Sequence, residues 1–244
     1  MLVERHSGIA LWRQIADSIR RSIAAGDFDE TGMMPGEMAL ACRYGVNRHT
    51  VRAAIAALVD EGLLEAVQGR GTMVRRRPRY TFPIGRRTRF SEGLADQSRD
   101  LEIRLLSDGS IAADGPIAEA LGVEAGRRLV RLDLLSLADG RPIALSVNYF
   151  VADIVSGMAD AFRATGSVTR AFASLGVADY VRVSTDVSAR LADEGERKML
   201  KLTPGAVVLV SHAVNATPEA VKLQYSETFF AADRVTLRML GTDG

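Results

Sequence analysis

At 244 residues the chain is long enough for two domains with separate cores, and 47% hydrophobic with 25% charged residues excludes an intrinsically disordered polymer. No apolar run reaches the about 18 residues of a membrane-spanning helix, and the first residues, with Glu4, Arg5 and His6, lack a signal peptide's apolar stretch. A single cysteine, Cys42, excludes an internal disulfide, so a cytoplasmic protein is expected. The net charge of +1 hides an asymmetry. Residues 43–79 hold eight Arg against Asp60, Glu61 and Glu65, a balance of +5, whereas residues 91–244 hold 16 basic against 21 acidic side chains, a balance of −5. Such a division is expected when only the N-terminal part faces a polyanion.

Leu11, Ile15, Ile19 and Ile23 recur every four residues and predict a first amphipathic helix ended by Gly26. A short helical pattern covers residues 36–44, Gly45 supplies a turn, and another helix follows at once. On that helix Val51, Ile55 and Leu58 point inward while Asn47, Arg48, His49 and Arg52 project outward. Two forked guanidiniums one turn apart suit paired acceptors on a guanine edge or a phosphate. Thr50 fits either a phosphate contact or an inward position. Cys42, on the shorter helix, is expected to be a buried structural thiol. Between Leu63-Leu64 and Met73-Val74, the segment Gly69-Arg70-Gly71-Thr72 reads as a hairpin tip whose glycines let the backbone approach a duplex and whose Arg70 adds a contact. An outward Arg pair alone also fits a solvated helix face. The turn before it and the hairpin after it make a winged helix-turn-helix, with basic residues where base edges are reached, and point to DNA.

Arg75-Arg76-Arg77-Pro78-Arg79 reads as a linker, which divides the chain into residues 1–75, a basic connector over 76–80, and residues 81–244. In the last part, strands over 129–136 and 143–149 flank Ala138-Asp139-Gly140-Arg141, a hairpin signal, and strands over 180–187, 207–214 and 221–230 follow. Helices fit at 116–122, 153–163, 167–175 and 193–201. A repeat is visible. Leu121 to Gly126 precedes one hairpin, closed by Tyr149-Phe150-Val151-Ala152-Asp153, and Leu200 to Gly205 precedes another, closed by Phe229-Phe230-Ala231-Ala232-Asp233, at offsets of 79 and 80 residues. Two such units imply one antiparallel sheet with a pseudo-two-fold axis and a cleft suited to a ligand.

These residues carry a family resemblance. Leu11-Trp12-Arg13-Gln14-Ile15, Pro35-Gly36-Glu37, residues 44–52, Glu61-Gly62-Leu63-Leu64 and residues 69–72 resemble the DNA-binding domain of GntR-family bacterial regulators. The remainder resembles the UTRA effector domain of the HutC subfamily, whose fold is similar to chorismate lyase. The resemblance thus implies an α+β chain: a winged helix-turn-helix joined to an antiparallel-sheet domain that binds an effector and dimerises. Asn47-Arg48-His49-Thr50, Arg77-Pro78, residues 89–97, Tyr225-Ser226-Glu227 and Ala232-Asp233 are similar to phosphonate-metabolism regulators of PhnF type. Two departures stand out. Met38 occupies a position where relatives often carry Arg or Gln, and Leu134 and Ser136 occupy the positions of an Arg-x-Arg pair common in sugar-phosphate sensors.

The expected partners are an inverted-repeat DNA operator, a second copy of the chain and a small anionic effector. Contacts to DNA are expected from Asn47, Arg48, His49, Thr50, Arg52, Gly69, Arg70 and Gly71. Arg86-Arg87-Thr88-Arg89-Phe90-Ser91 offers guanidiniums and hydroxyls at the spacing of a phosphorus-oxyanion site, and the resemblance favours Thr88, Arg89 and Phe90, with Arg87 beside them. Ser146, Asn148 and Tyr149 on one repeat and Tyr225 and Glu227 on the other would complete the cleft. A sugar phosphate or a histidine-pathway metabolite are the rival effectors. A lyase-like enzyme is the competing class, but the chain offers little chemistry for it. Only three histidines occur, His6, His49 and His212, too few for a His-rich metal site, and no phosphate loop or nucleophile elbow is found. His212, alone on a strand, is expected to be packed. No cofactor or metal is expected.

Overall fold

The computed structural model describes residues 8–239 except 26, 29–30, 76–78, 88, 90–92 and 95–96. The chain divides into two compact units, residues 1–78 and 79–244. Tyr80, assigned to the linker by sequence, is instead buried in the first strand of the second unit.

The first unit contains α1 (Leu11–Ala25), α2 (Glu37–Tyr44) and α3 (Arg48–Asp60), followed by a hairpin of β1 (Leu64–Val67) and β2 (Gly71–Val74). Gly45 ends α2 in the left-handed conformation (φ 63°) and returns its N–H to the carbonyls of Ala41 and Cys42, which allows the tight turn into α3. Asn47 caps α3, its Oδ1 accepting the Thr50 N–H at 2.9 Å. Ile15, Ile19, Leu40, Val51, Leu58 and Leu64 fill the core, with Trp12 packed against it. Residues 32–34 join the hairpin: Met34 N–H donates to Thr72 O and Val74 N–H to Gly32 O, each at 2.8 Å. Cys42 is exposed, not buried. In so short a helix the inward positions are taken by Leu40, Ala41 and Tyr44.

The second unit is built on a six-stranded antiparallel sheet in the order β4-β5-β6-β9-β8-β7. Its strands are β4 (Leu101–Ala112), β5 (Arg128–Ala138), β6 (Arg141–Val151), β7 (Val181–Leu191), β8 (Val207–Ala216) and β9 (Lys222–Ala231). The order is symmetric about the β6–β9 pair, as the sequence repeat requires. Helix α4 (Gly115–Leu121) lies between β4 and β5 in the chain, and α7 (Glu194–Leu200) lies between β7 and β8. Their caps, Asp114 and Asp193, stand 79 residues apart. Asp139 (φ 49°) and Gly140 (φ 73°) form the β5–β6 turn, both left-handed as a two-residue hairpin demands. The remaining elements are β3 (Tyr80–Ile84), paired in parallel with β10 (Val235–Met239), and the helices α5 (Met158–Thr165) and α6 (Val168–Ser174). Helix α5 starts later than the expected 153, after Gly157 in a left-handed turn (φ 83°).

Alternation along the strands gives the sheet two differently covered faces. On one, Leu129, Tyr149 and Val151 pack under α4, and Leu135, Val208 and Val210 pack under Leu200 of α7. On the other, Leu132, Leu134 and Phe150 meet Phe162 of α5 and Phe172 of α6, while Ala144 and Phe230 meet Tyr80 and Phe82 of β3. Leu58 is wholly buried in the first unit, which also holds the single tryptophan. Leu58→Ala should therefore lower the stability reported by Trp12 fluorescence in urea by about 2–5 kcal/mol, while the far-ultraviolet signal of the sheet unit keeps its midpoint. A fluorescence midpoint equal to wild type would contradict this packing.

Candidate nucleic-acid interface and sensor face

Arg48 and Arg52 stand one turn apart at the start of α3, their side chains 58% and 59% exposed. Both reach Glu37, the first residue of α2: Arg48 Nε donates to Oε2 at 2.6 Å and Arg52 Nε lies 3.5 Å from Oε1. One carboxylate thus aligns two guanidiniums on one side of the helix-turn-helix while both side chains stay more than half exposed. The Pro-Gly-Glu motif contained Glu37, yet its orienting role was not evident without the turn geometry. His49 is exposed between the arginines. Asn47 and Thr50 are occupied locally, since Asn47 Oδ1 also accepts the Thr50 hydroxyl at 3.0 Å. At the hairpin tip, Arg70 is exposed between Gly69 (φ 75°) and Gly71 (φ 100°), conformations that a side chain would strain. Met38 is exposed on α2.

In the second unit the proposed effector residues do not form one group. Ser146 and Asn148 share the face covered by α5 and α6, where Asn148 Nδ2 donates to Ser146 Oγ at 3.0 Å. Tyr149, Tyr225 and Glu227 lie on the α4 and α7 face. There the two tyrosine rings stack with centroids 6.0 Å apart, and Tyr225 donates its hydroxyl to Glu227 Oε1 at 3.1 Å. Burial and then the Glu227 charge raise the Tyr149 phenol, and the same causes with that hydrogen bond raise Tyr225 further. Adjacent residues of a strand point to opposite faces, so Tyr149, Tyr225 and Glu227 cannot line a cleft with Ser146 and Asn148. Tyr225 borders instead a cleft of about 410 Å³ whose walls include Glu119, Ser184, Asp186, His212 and Lys222. His212 is exposed at its rim rather than packed, because it sits on the partly covered β8 opposite Asp186 of β7.

Arg87 and Arg89 converge on Asp179, the residue before Tyr180. Arg87 Nη1 donates to both Asp179 oxygens at 2.8 Å and Arg89 Nη2 to Oδ1 at 2.9 Å. Burial opposes ionisation of Asp179, but the Arg87 hydrogen bond and charge outweigh it and hold the carboxyl below its ordinary range. The Arg89 guanidinium lies 4.4 Å over the Tyr180 ring, and Tyr180 belongs to the core beneath α5 and α6. The loop arginines therefore share a face with Ser146 and Asn148. Thr88 and Phe90 lie outside the described residues. Between the β3 and α6 coverings this face is polar: Asn148, Ser211, Asn215, Gln224 and Ser226 are all buried. Their signal in the sequence was a polar residue inside an otherwise apolar strand. Among the described residues no cluster of His, Cys, Asp and Glu could hold a metal ion, and no helix is long and apolar enough to cross a membrane.

Residues 11–74 match the family of bacterial regulatory proteins, gntR, and residues 96–236 match the UTRA domain. The chain belongs to the GntR family. It is 53% identical to an uncharacterised HTH-type transcriptional regulator of Rhizobium meliloti, covering 98% of each chain. It is 29% identical to the probable transcriptional regulator PhnF of Escherichia coli, over 93% of this chain and 91% of that protein. The crystal structure of PhnF from Mycobacterium smegmatis shares the fold, with a TM-score of 0.63 at 22% identity over 94% of this chain and all of that one. This is a DNA-binding transcriptional regulator with an effector domain, not an enzyme.

If Glu37 aligns the arginines, Glu37→Gln should lower the ratio of specific to non-specific DNA affinity several-fold. Non-specific binding should rise, since a negative charge leaves the interface. An unchanged ratio in competition gel shifts would remove Glu37 from this role.

Proposed function

We propose that the chain is a homodimeric repressor that binds an inverted-repeat operator and is released by a small phosphorus oxyanion, a phosphonate or related phosphate compound. The observation that carries the DNA half is the carboxylate-aligned pair Arg48 and Arg52, exposed at the start of α3. His49 and Arg70 extend the contact, the backbone at Gly69 and Gly71 approaches the phosphates, and Asn47 and Thr50 organise the helix N-terminus from which the arginines project. Two-fold DNA calls for a two-fold protein, and the second unit supplies the interface.

Support for the effector comes from the guanidiniums of Arg87 and Arg89 gathered at Asp179 above a polar floor. A second support is the likeness to PhnF proteins, the type resembled in sequence by residues 89–97. Thr88 and Phe90 complete the loop in this reading, and Tyr149, Tyr225 and Glu227 are left out of the oxyanion site. Phosphonate uptake or degradation genes are the proposed targets.

A bidentate arginine contributes about 1–3 kcal/mol of base discrimination. Arg48→Ala or Arg52→Ala should therefore weaken binding to a duplex selected from a random pool about ten-fold or more, with the melting temperature unchanged. Wild-type affinity in either variant would sink the assignment. Residues 79–244 alone should be dimeric by light scattering at micromolar concentration, and a monomer would overturn the proposed interface. Calorimetry with phosphonates, phosphate, sugar phosphates and urocanate should show binding of the phosphorus oxyanions; binding of urocanate alone would move the regulator to another pathway.

A further inference from the structure

The structure holds a partly buried cation that the preceding reading has not used. Arg182 is the second residue of β7, and its guanidinium is held by neutral groups. Nε donates to Asn215 Oδ1 at 2.7 Å and Nη1 to Thr185 Oγ1 at 3.2 Å, while its backbone N–H donates to Arg86 O at 2.8 Å. Among the described residues no carboxylate pairs with it. Burial draws its pKa down to about 10, the opposite of what a carboxylate partner would do, and it remains charged at neutral pH.

A relay of side chains runs from this cation across the sheet. Asn215 Nδ2 donates to Gln224 Oε1 at 2.7 Å, Gln224 Nε2 to Asn148 Oδ1 at 2.9 Å, and Asn148 Nδ2 to Ser146 Oγ at 3.0 Å. A guanidinium has only donors, so Asn215 must turn its oxygen toward Arg182, and each amide downstream then takes the same sense. The relay spends buried polar groups on holding one cation in place. A buried charge without a counter-charge is costly, and folded proteins satisfy such groups with an opposite charge. Tyr180, two residues before this cation in the chain, carries the Arg89 guanidinium over its ring.

We infer that Arg182 is the principal anchor for the anionic group of the effector on the α5 and α6 face, with Asn215 as its positioning residue. The inference rests on the reading that the second unit takes a small oxyanion, and it adds a residue from outside the 86–91 loop. A tetrahedral oxyanion and a carboxylate share the required chemistry, so methylphosphonate, inorganic phosphate and acetate are the probes.

The test is calorimetry on the full-length chain and on Arg182→Gln, Arg182→Lys and Arg131→Gln. Arg131 lies on the opposite face, paired with Asp133, and serves as the control. A hydrogen-bonded charge pair implies that Arg182→Gln binds methylphosphonate or phosphate about ten- to 100-fold more weakly. Arg182→Lys, which keeps the charge without the planar fork, should fall between, and Arg131→Gln should match wild type. Melting separates anchoring from a structural role. Without anion Arg182→Gln should melt at or above wild type, since an uncompensated charge has been removed, and added methylphosphonate should raise the melting temperature of wild type and Arg131→Gln but not that of Arg182→Gln. Anion affinity in Arg182→Gln within two-fold of wild type would overturn the anchor while leaving the effector reading intact. Melting of anion-free Arg182→Gln well below wild type, with Arg182→Lys binding normally, would also overturn it. Failure of wild type to bind any of the three anions at millimolar concentration would overturn both, and binding of acetate alone would keep the anchor and refute the phosphorus ligand.

Discussion

The antiparallel pairing of β6 with β9 is the constraint on which the sensor unit depends. Its register places Asn148 opposite Ser226 and Tyr149 opposite Tyr225, and the strand period of two then sends those pairs to opposite faces. One face becomes an aromatic and acidic surface under α4. The other becomes a buried polar floor between two apolar coverings. A slip of one residue would exchange them. The flanking strands follow the same parity, so Asn215, Gln224 and Asn148 meet in one line although they come from three strands.

A comparable economy governs the N-terminal unit. Its core is small, and the residues that would read DNA are oriented by a few short-range contacts. Gly45 turns the chain, Asn47 starts α3, and Glu37 gathers two arginines. Polar side chains there act on the helix ends and on one another, and α3 buries Val51, Ile55 and Leu58 behind them. The charge division of the sequence, +5 over residues 43–79 against −5 over residues 91–244, fits these unlike surfaces.

Elements with local chemical signals were legible in the sequence: the four-residue spacing of α1, the glycine before α3, the Asp139-Gly140 turn and the paired 79- and 80-residue repeats. Elements whose reason is non-local were not. Strand β4 lies at the sheet edge, and its Ser107-Asp108-Gly109-Ser110 stretch carries turn residues inside a strand that, among the described residues, pairs with β5 alone. The parallel pair of β3 and β10 joins segments from the two ends of the unit, with no local mark of their meeting. The division of the effector residues was available from parity, because Asn148 and Tyr149 are neighbours on one strand and cannot face the same way. Arg182 was hidden differently. A single arginine in a strand reads as a solvated edge residue until burial and its neutral partners are known.

The central claim is that an oxyanion on the sensor unit and operator DNA on the other unit oppose each other. Fluorescence anisotropy of a selected operator duplex, titrated with full-length protein with and without saturating methylphosphonate, tests it most directly. A coupling of about 1–3 kcal/mol predicts operator affinity between roughly five- and 150-fold weaker with the ligand present. Equal affinity with and without a phosphonate that calorimetry shows to be bound would contradict the account.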